Sequence, residues 1–205
     1  MGKKGKSICL FSSKGGTGKS SIATLLSGFF AMQEKKVLII DFDLSFGSIG
    51  LLLNKESNKN IYDLYSDYSN NKFTDISDYV TKYNDNILFL ASSSDPRQGV
   101  KINDAFIKFI LEKSIYSYDY IIIDTPPIGS VIDSAIVAQE CDGVAYVMAA
   151  NDVSYKYAQK GLEQIKKTDC KLLGVVLNKV DMDDNKYYGK YYGKYYGKYG
   201  EHANK

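Results

Sequence analysis

The sequence is poor in the residues and patterns that most directly announce a site or a compartment. Its three cysteines, Cys9, Cys141 and Cys170, stand far apart in apolar or small-residue surroundings. They form none of the close pairs that zinc sites and disulfide frameworks use, so they read as reduced core thiols. The single histidine, His202, lies at the C-terminal end outside any apolar pattern and is not expected to be catalytic. Basic and acidic side chains nearly cancel, 26 against 24, which removes the electrostatic ground for a nucleic-acid or membrane-surface protein; no nucleic-acid partner is expected. No apolar run approaches the roughly 20 residues that span a bilayer, and no signal-peptide core with a cleavage site follows the basic N-terminus. A cytoplasmic protein is the expectation.

What is present is a chain of 205 residues with 44% hydrophobic content, enough to bury the core of one domain. Runs rich in Ile, Val and Leu recur at residues 7–12, 36–40, 87–91, 120–123, 144–149 and 172–177. Helical patterns fall at residues 19–33, 101–113, 132–139 and 155–168. Continuous apolar strands alternating with helices predict a doubly wound α/β fold, a mostly parallel sheet with helices on both faces. Ligands of such sheets sit outside the carboxyl ends of the strands, so the loops after Phe11, Ile40, Ile123 and Leu177 are the places to look. The stretch holding Tyr62, Tyr65, Tyr68, Tyr79 and Tyr83 is polar, and its tyrosines read as packing or surface residues.

After residue 182 the character changes. Lys-Tyr-Tyr-Gly occurs three times in succession from Lys186, followed by Lys-Tyr-Gly, with no aliphatic residue until Ala203. Glycine at every fourth position defeats a helix and the lysines favour solvent, so residues 1–182 are expected to form the domain and 183–205 a flexible tail.

The first loop reads Ser-Ser-Lys-Gly-Gly-Thr-Gly-Lys-Ser-Ser over residues 12–21, between an apolar strand and a helix. That context makes it a phosphate loop, and the fold a P-loop NTPase. Lys14, Gly15, Gly16, Thr17, Gly18, Lys19, Ser20 and Ser21 are the expected nucleotide-binding residues. The glycines let backbone N–H groups close around phosphate oxygens, and the following helix adds its positive end. Lys19 supplies charge between the terminal phosphates, and the Ser20 hydroxyl suits a magnesium ion that keeps several waters. ATP and Mg²⁺ are therefore the expected cofactors.

Asp41 and Asp43 follow an aliphatic strand, where a carboxylate can hold magnesium or accept the proton of an attacking hydroxyl. Strand alternation predicts that both lie on one face. Ile121-Ile-Ile-Asp124-Thr-Pro-Pro127 is a buried strand ending in aspartate, with Asp124 placed to orient a metal-bound water. Lys19, Asp41, Asp43 and Asp124 form the expected catalytic set, and Ser20, Asp41 and Asp124 the expected metal set. Asn178, closing the last strand, offers donor and acceptor edges to a nucleotide base or serves as a turn residue.

Ser13 stands where the common phosphate loop has its first glycine, and Lys14 is an additional lysine. This variant resembles the deviant Walker A loop of septum-positioning and chromosome-partitioning ATPases. That resemblance implies that Lys14 reaches a partner's nucleotide across a dimer, and that Asn178 faces adenine. Together with Asp-x-Asp, Ile-Asp-Thr-Pro-Pro, the Gly-Ser-Val-Ile-Asp segment at 129–133, Leu-Asn-Lys-Val-Asp and the terminal tyrosines, the chain resembles the bacterial tyrosine kinases of capsule and exopolysaccharide synthesis. The resemblance implies autophosphorylation of Tyr187, Tyr188, Tyr191, Tyr192, Tyr195, Tyr196 and Tyr199, mainly between neighbouring subunits, with Asp41 as base. It also implies a homo-oligomer (dimer or ring), a cognate tyrosine phosphatase, and a membrane-anchored activator protein of the polysaccharide co-polymerase type that recruits the chain to the inner face of the membrane. Lys14 and the Asp43-Leu-Ser-Phe-Gly47 stretch look more like partitioning and pilus-assembly ATPases, so a dimeric switch ATPase is the alternative.

Overall fold

Val37-Leu-Ile-Ile and Ile121-Ile-Ile offer no polar side chain to either face of the backbone, and strands of that kind persist only with both faces covered. In the computed structural model, which describes residues 3–44, 47–93, 95, 97–98, 102–127, 134–150, 152 and 154–181, these runs are the two middle strands of a sheet. The chain runs β1 (Lys6–Phe11), α1 (Lys19–Ala31), β2 (Val37–Asp41), α2 (Ile49–Leu52), α3 (Ile61–Ser69), a 3₁₀ turn (Ile76–Asp78), β3 (Thr81–Lys82) and β4 (Ile87–Leu90). It continues as α4 (Asp104–Ser114), β5 (Tyr120–Asp124), α5 (Ser134–Gln139), β6 (Gly143–Ala149), α6 (Tyr155–Lys166) and β7 (Leu172–Asn178). The strand order is β3-β4-β2-β5-β1-β6-β7, parallel throughout except for β3, which runs antiparallel to β4.

Alternation along the strands sorts the core into two layers. Leu10, Val37, Ile39 and Ile122 pack with Ala23, Ile22, Leu26 and Phe30 of α1 on one face. Cys9, Phe11, Leu38, Ile40, Ile121 and Ile123 pack with Phe106, Ile107, Ile110 and Leu111 of α4 on the other. Phe30 stacks on Tyr120 with ring centroids 3.7 Å apart, which ties the far end of α1 to β5. None of the described helices is long and apolar enough to cross a membrane.

The predicted strands correspond to β1, β2, β4, β5, β6 and β7 within two residues at either end. The structure adds α3 and β3 in the stretch read as merely polar, and the short α2 ahead of it. Nothing in the propensity of Ile-Tyr-Asp-Leu-Tyr-Ser-Asp-Tyr-Ser favours a helix. What holds α3 is a capping box: the Asn60 side chain accepts from the N–H groups of Tyr62 and Asp63, and Asp63 accepts from the N–H of Asn60. In the same region Tyr79 is buried, and Tyr65 and Tyr68 pack on Phe106, so these tyrosines are packing residues as expected. The three cysteines are free. They converge from distant positions, with Cys170 Sγ donating to Cys141 O at 3.4 Å, and a hydrogen bond with Cys9, then burial, push the Cys141 thiol well up, as suits inert thiols. Residues 129–133, Ser45, Phe46 and the tail of 183–205 lie outside the described residues.

Leu38 is fully buried between strand neighbours, so Leu38→Ala is expected to cost about 2–5 kcal/mol of unfolding free energy in urea titrations. Met32→Ala, at the exposed C-cap of α1, is expected to stay within about 0.5 kcal/mol of the parent.

Candidate functional site

β1 ends at Phe11 in the centre of the sheet, and α1 starts eight residues later from the same edge. The intervening loop turns on Gly16 (φ 71°) and Gly18 (φ 93°), a left-handed conformation that a side chain resists; Gly18 also caps α1. Gly18 additionally lies where a side chain would strike Asn178. Inside the loop, Lys19 is only 6% exposed and donates from Nζ to Ser12 Oγ at 2.8 Å, while Ser12 Oγ donates to Lys14 O at 2.8 Å. Burial pulls the Lys19 ammonium below its ordinary range, and the negative charges of Asp124 and Asp43 oppose that pull. Carboxylates, rather than water, offset the cost of burying this ammonium.

Two carboxylates of the site end adjacent strands. Asp41, last residue of β2, stands directly opposite Asp124, last residue of β5, and both are 1% exposed. Asp41 accepts from the N–H groups of Asp43 (3.2 Å), Ser48 (2.9 Å) and Ile49 (3.1 Å). Burial nevertheless pushes its pKa up to about 7, with the Asp124 charge adding to the rise against the Ile49 and Asp43 N–H groups. Asp124 is pushed to about 6, again chiefly by burial, with the Ser20 hydroxyl and Lys19 opposing. β2 stops at Asp41, so alternation does not place Asp43. A bend brings its N–H onto Asp41, and its carboxylate acts electrostatically on Lys19 and Asp124.

Ser20 Oγ donates to Asp124 Oδ2 at 2.5 Å, whereas Asp124 Oδ1 and Thr17 Oγ1 are buried without a hydrogen-bond partner. Among the described residues, no three His, Cys, Asp or Glu side chains converge as a metal cage. One hydroxyl and one carboxylate with an unspent oxygen suit a hard cation that takes its other ligands from water and phosphate, which is how magnesium is held beside nucleotides. The donor set therefore fits the ion expected from the sequence.

The loop is also gripped from the β6 side. Ser13 Oγ bonds the hydroxyl of Tyr146 on β6 and donates to Tyr157 O at 3.1 Å, and Tyr146 OH donates to Ala158 O at 3.3 Å. Gly161 of α6 leaves the room for this, since a side chain there would strike Ser13 Oγ and the Tyr146 ring. Lys14 Nζ is ion-paired with Asp152 just beyond β6, both half-exposed. Asn178 Nδ2 donates to Thr17 O at 2.9 Å, so the end of β7 rests on the loop. Ser21 faces solvent on the first turn of α1. Ser12, Tyr146 and Asp152 were not singled out from the sequence. A serine beside a phosphate loop is a usable signal for Ser12. Nothing local marks a strand tyrosine 133 residues away as the partner of Ser13. Tyr187, Tyr188, Tyr191, Tyr192, Tyr195, Tyr196 and Tyr199 lie outside the described residues.

A family model described as ParA: NUBPL iron-transfer P-loop NTPase matches residues 4–199. Tyrosine-protein kinase CpsD of Streptococcus agalactiae is 33% identical over 182 residues, covering 88% of this chain and 78% of the relative. Among solved structures, the chimerical protein CapA2B2 superposes with a TM-score of 0.73 at 26% identity, covering 87% of this chain and 77% of that one. A ParA family ATPase from Chlorobium tepidum reaches 0.74 at 20% identity, covering 87% and 76%, a likeness of fold.

Asp41 keeps its proton in the fold up to about pH 7 but loses it near 3.8 in the unfolded chain. The folded state therefore binds more protons between those values, and stability of the unliganded chain is expected to fall as pH rises from about 4 to about 7, then level. Asp41→Asn removes a contribution of order 4 kcal/mol to that slope, so in chelator at pH 8 the variant is expected to unfold at higher urea than the parent, with the difference vanishing near pH 4. Ser13→Ala and Tyr146→Phe are each expected to cost about 0.5–1.5 kcal/mol, and the double variant less than their sum, in the same titrations.

Proposed function

The chain belongs to the ParA-type P-loop NTPases and, within them, to the bacterial tyrosine kinases of the CpsD kind; from that premise we propose that it is an ATP- and magnesium-dependent autokinase acting on the C-terminal tyrosines of neighbouring copies. The observation that carries the proposal is the buried carboxylate pair abreast of the phosphate loop, with Asp41 shifted to about 7. A carboxylate poised near neutral pH matches the task of taking a proton from an attacking phenol. Lys19 and the N–H groups of residues 15–20 hold the terminal phosphates, while Ser20 and Asp124 hold the metal. Magnesium, when bound, neutralises charge on the phosphate oxygens. Asp41 accepts the tyrosine proton, with Asp43 beside it, and Asn178 borders the space for the base.

The acceptors suit this placement. Tyr187, Tyr188, Tyr191, Tyr192, Tyr195, Tyr196 and Tyr199 crowd seven phenols into 13 residues. The segment that carries them follows β7, whose last residue, Asn178, donates to Thr17 O of the phosphate loop, so the described chain ends its sheet at the nucleotide edge. Each phosphate adds about −1.5 to −2 charge, and several reverse the sign of a segment carrying Lys186, Lys190, Lys194 and Lys198. Attraction between copies then becomes repulsion, a means of cycling an oligomer. We further propose the setting that the resembled kinases imply: capsule or exopolysaccharide synthesis, a membrane-anchored activator and a cognate phosphatase.

Incubation with magnesium and labelled ATP, with the activator bound, is expected to label the tail tyrosines. Asp41→Asn is expected to slow transfer by roughly 10²–10⁴-fold. An unlabelled chain under those conditions ends the kinase reading. Lys14 and the deviant loop support a second reading, a dimeric switch ATPase; it requires ATP-dependent dimers that disappear in Lys14→Ala while nucleotide still binds.

A further inference from the structure

Four tyrosines among the described residues are well exposed: Tyr155 (78%), Tyr116 (61%), Tyr157 (61%) and Tyr83 (39%). Their places in the fold differ. Tyr116 lies in the turn that leads into β5, and Tyr83 in the turn from β3 into β4, so both sit at the amino ends of the parallel strands. Tyr155 and Tyr157 form the first turn of α6, which follows β6, and so stand at the carboxyl edge where the phosphate loop opens. The Tyr157 carbonyl accepts from Ser13 of that loop at 3.1 Å, and the nearby Asp152 is ion-paired with Lys14.

We propose that Tyr155 and Tyr157 are a second phosphoacceptor site, phosphorylated by the nucleotide site of another copy of this chain. The proposal rests on the kinase reading and extends it to acceptors on the domain itself. Its chemistry is that of the tail. The γ-phosphorus of ATP forms a bond to the phenolic oxygen as its bond to the β,γ-bridging oxygen breaks, ADP leaves, and the phenol proton passes to Asp41 of the catalysing copy.

Three features of the segment support it. Tyr155-Lys-Tyr-Ala-Gln-Lys160 sets its tyrosines within three residues of lysines, as Lys-Tyr-Tyr-Gly-Lys does in the tail, though a lysine separates the two tyrosines here, so a site that tolerates lysine near the acceptor suits both. Tyr155 is the first residue of α6, and among the described residues its hydroxyl accepts from Gln159 Nε2 at 3.1 Å, on the exposed surface; helix first turns open at small cost. A phosphate would also be well received there. The first turn of α6 has no acidic residue, Lys156 and Lys160 flank it, and Lys14 and Lys179 lower the pKa of the neighbouring Asp152. An added dianion at a helix N-terminus among lysines is stabilised by both, and competes with Asp152 for Lys14. A mark here changes the charge beside the loop.

The test uses the full chain, its activator, magnesium and labelled ATP, with phosphate located by peptide mass spectrometry. Three proteins are compared: the parent, a variant with all seven tail tyrosines changed to Phe, and the same variant carrying Tyr155→Phe and Tyr157→Phe. The expected result is that the tail variant still takes label, located on Tyr155 or Tyr157, and that the last variant loses it. A parent labelled in its tail but unmodified at both α6 positions overturns this inference and leaves the kinase reading standing. Equal labelling of Tyr116 and Tyr83 also overturns it, since exposure alone then governs. A parent unlabelled at every position overturns both.

Discussion

The rest of the molecule is arranged around one pairing in the sheet. β2 and β5 run parallel in a register that sets Asp41 opposite Asp124 at their buried carboxyl ends. Two carboxylates abreast in an apolar sheet repel each other and are poorly solvated, and each is pushed well above its ordinary pKa. Everything that converges there relieves that strain: three backbone N–H groups on Asp41, and the Ser20 hydroxyl and the Lys19 charge on Asp124. A cation bound with a nucleotide would complete the same compensation at Asp124 Oδ1, which is buried without a hydrogen-bond partner. The site is unfavourable for the empty fold and favourable for the loaded one.

The loop meets a second set of restraints on its other flank. Ser13 is tied to Tyr146 and to the carbonyl of Tyr157, Lys14 to Asp152, and the carbonyl of Thr17 to Asn178. β6, α6 and β7 therefore bear directly on the phosphate loop, while β2 and β5 bear on it through the acids. Loop geometry, and with it the position of Lys19, depends on elements contributed by both halves of the chain. The β6 flank is also the one that carries exposed lysines and tyrosines, so changes of charge on the surface reach the loop through hydrogen bonds already in place.

Much of this was legible beforehand because it is written in local pattern. A strand, a glycine-rich turn and a helix in immediate succession define the loop at residues 12–21, and aliphatic runs ending in acid define β2 and β5. The placement of Asp43 was not legible, since alternation ends where β2 ends at Asp41. α3 escaped notice because it rests on one capping box in a polar stretch, a signal of four residues against nine that favour no helix.

By itself, the sequence determined the α/β class, the phosphate loop, and which strands end in carboxylates, because each follows from residues within a few positions of one another. Only the tertiary structure decided that Asp41 faces Asp124, that Tyr146 holds Ser13 across 133 positions, and that Lys14 is paired with Asp152. Those facts depend on strand order and register, which bring together residues that share no local pattern, and it is burial in the assembled sheet that shifts the carboxylates toward neutral pH.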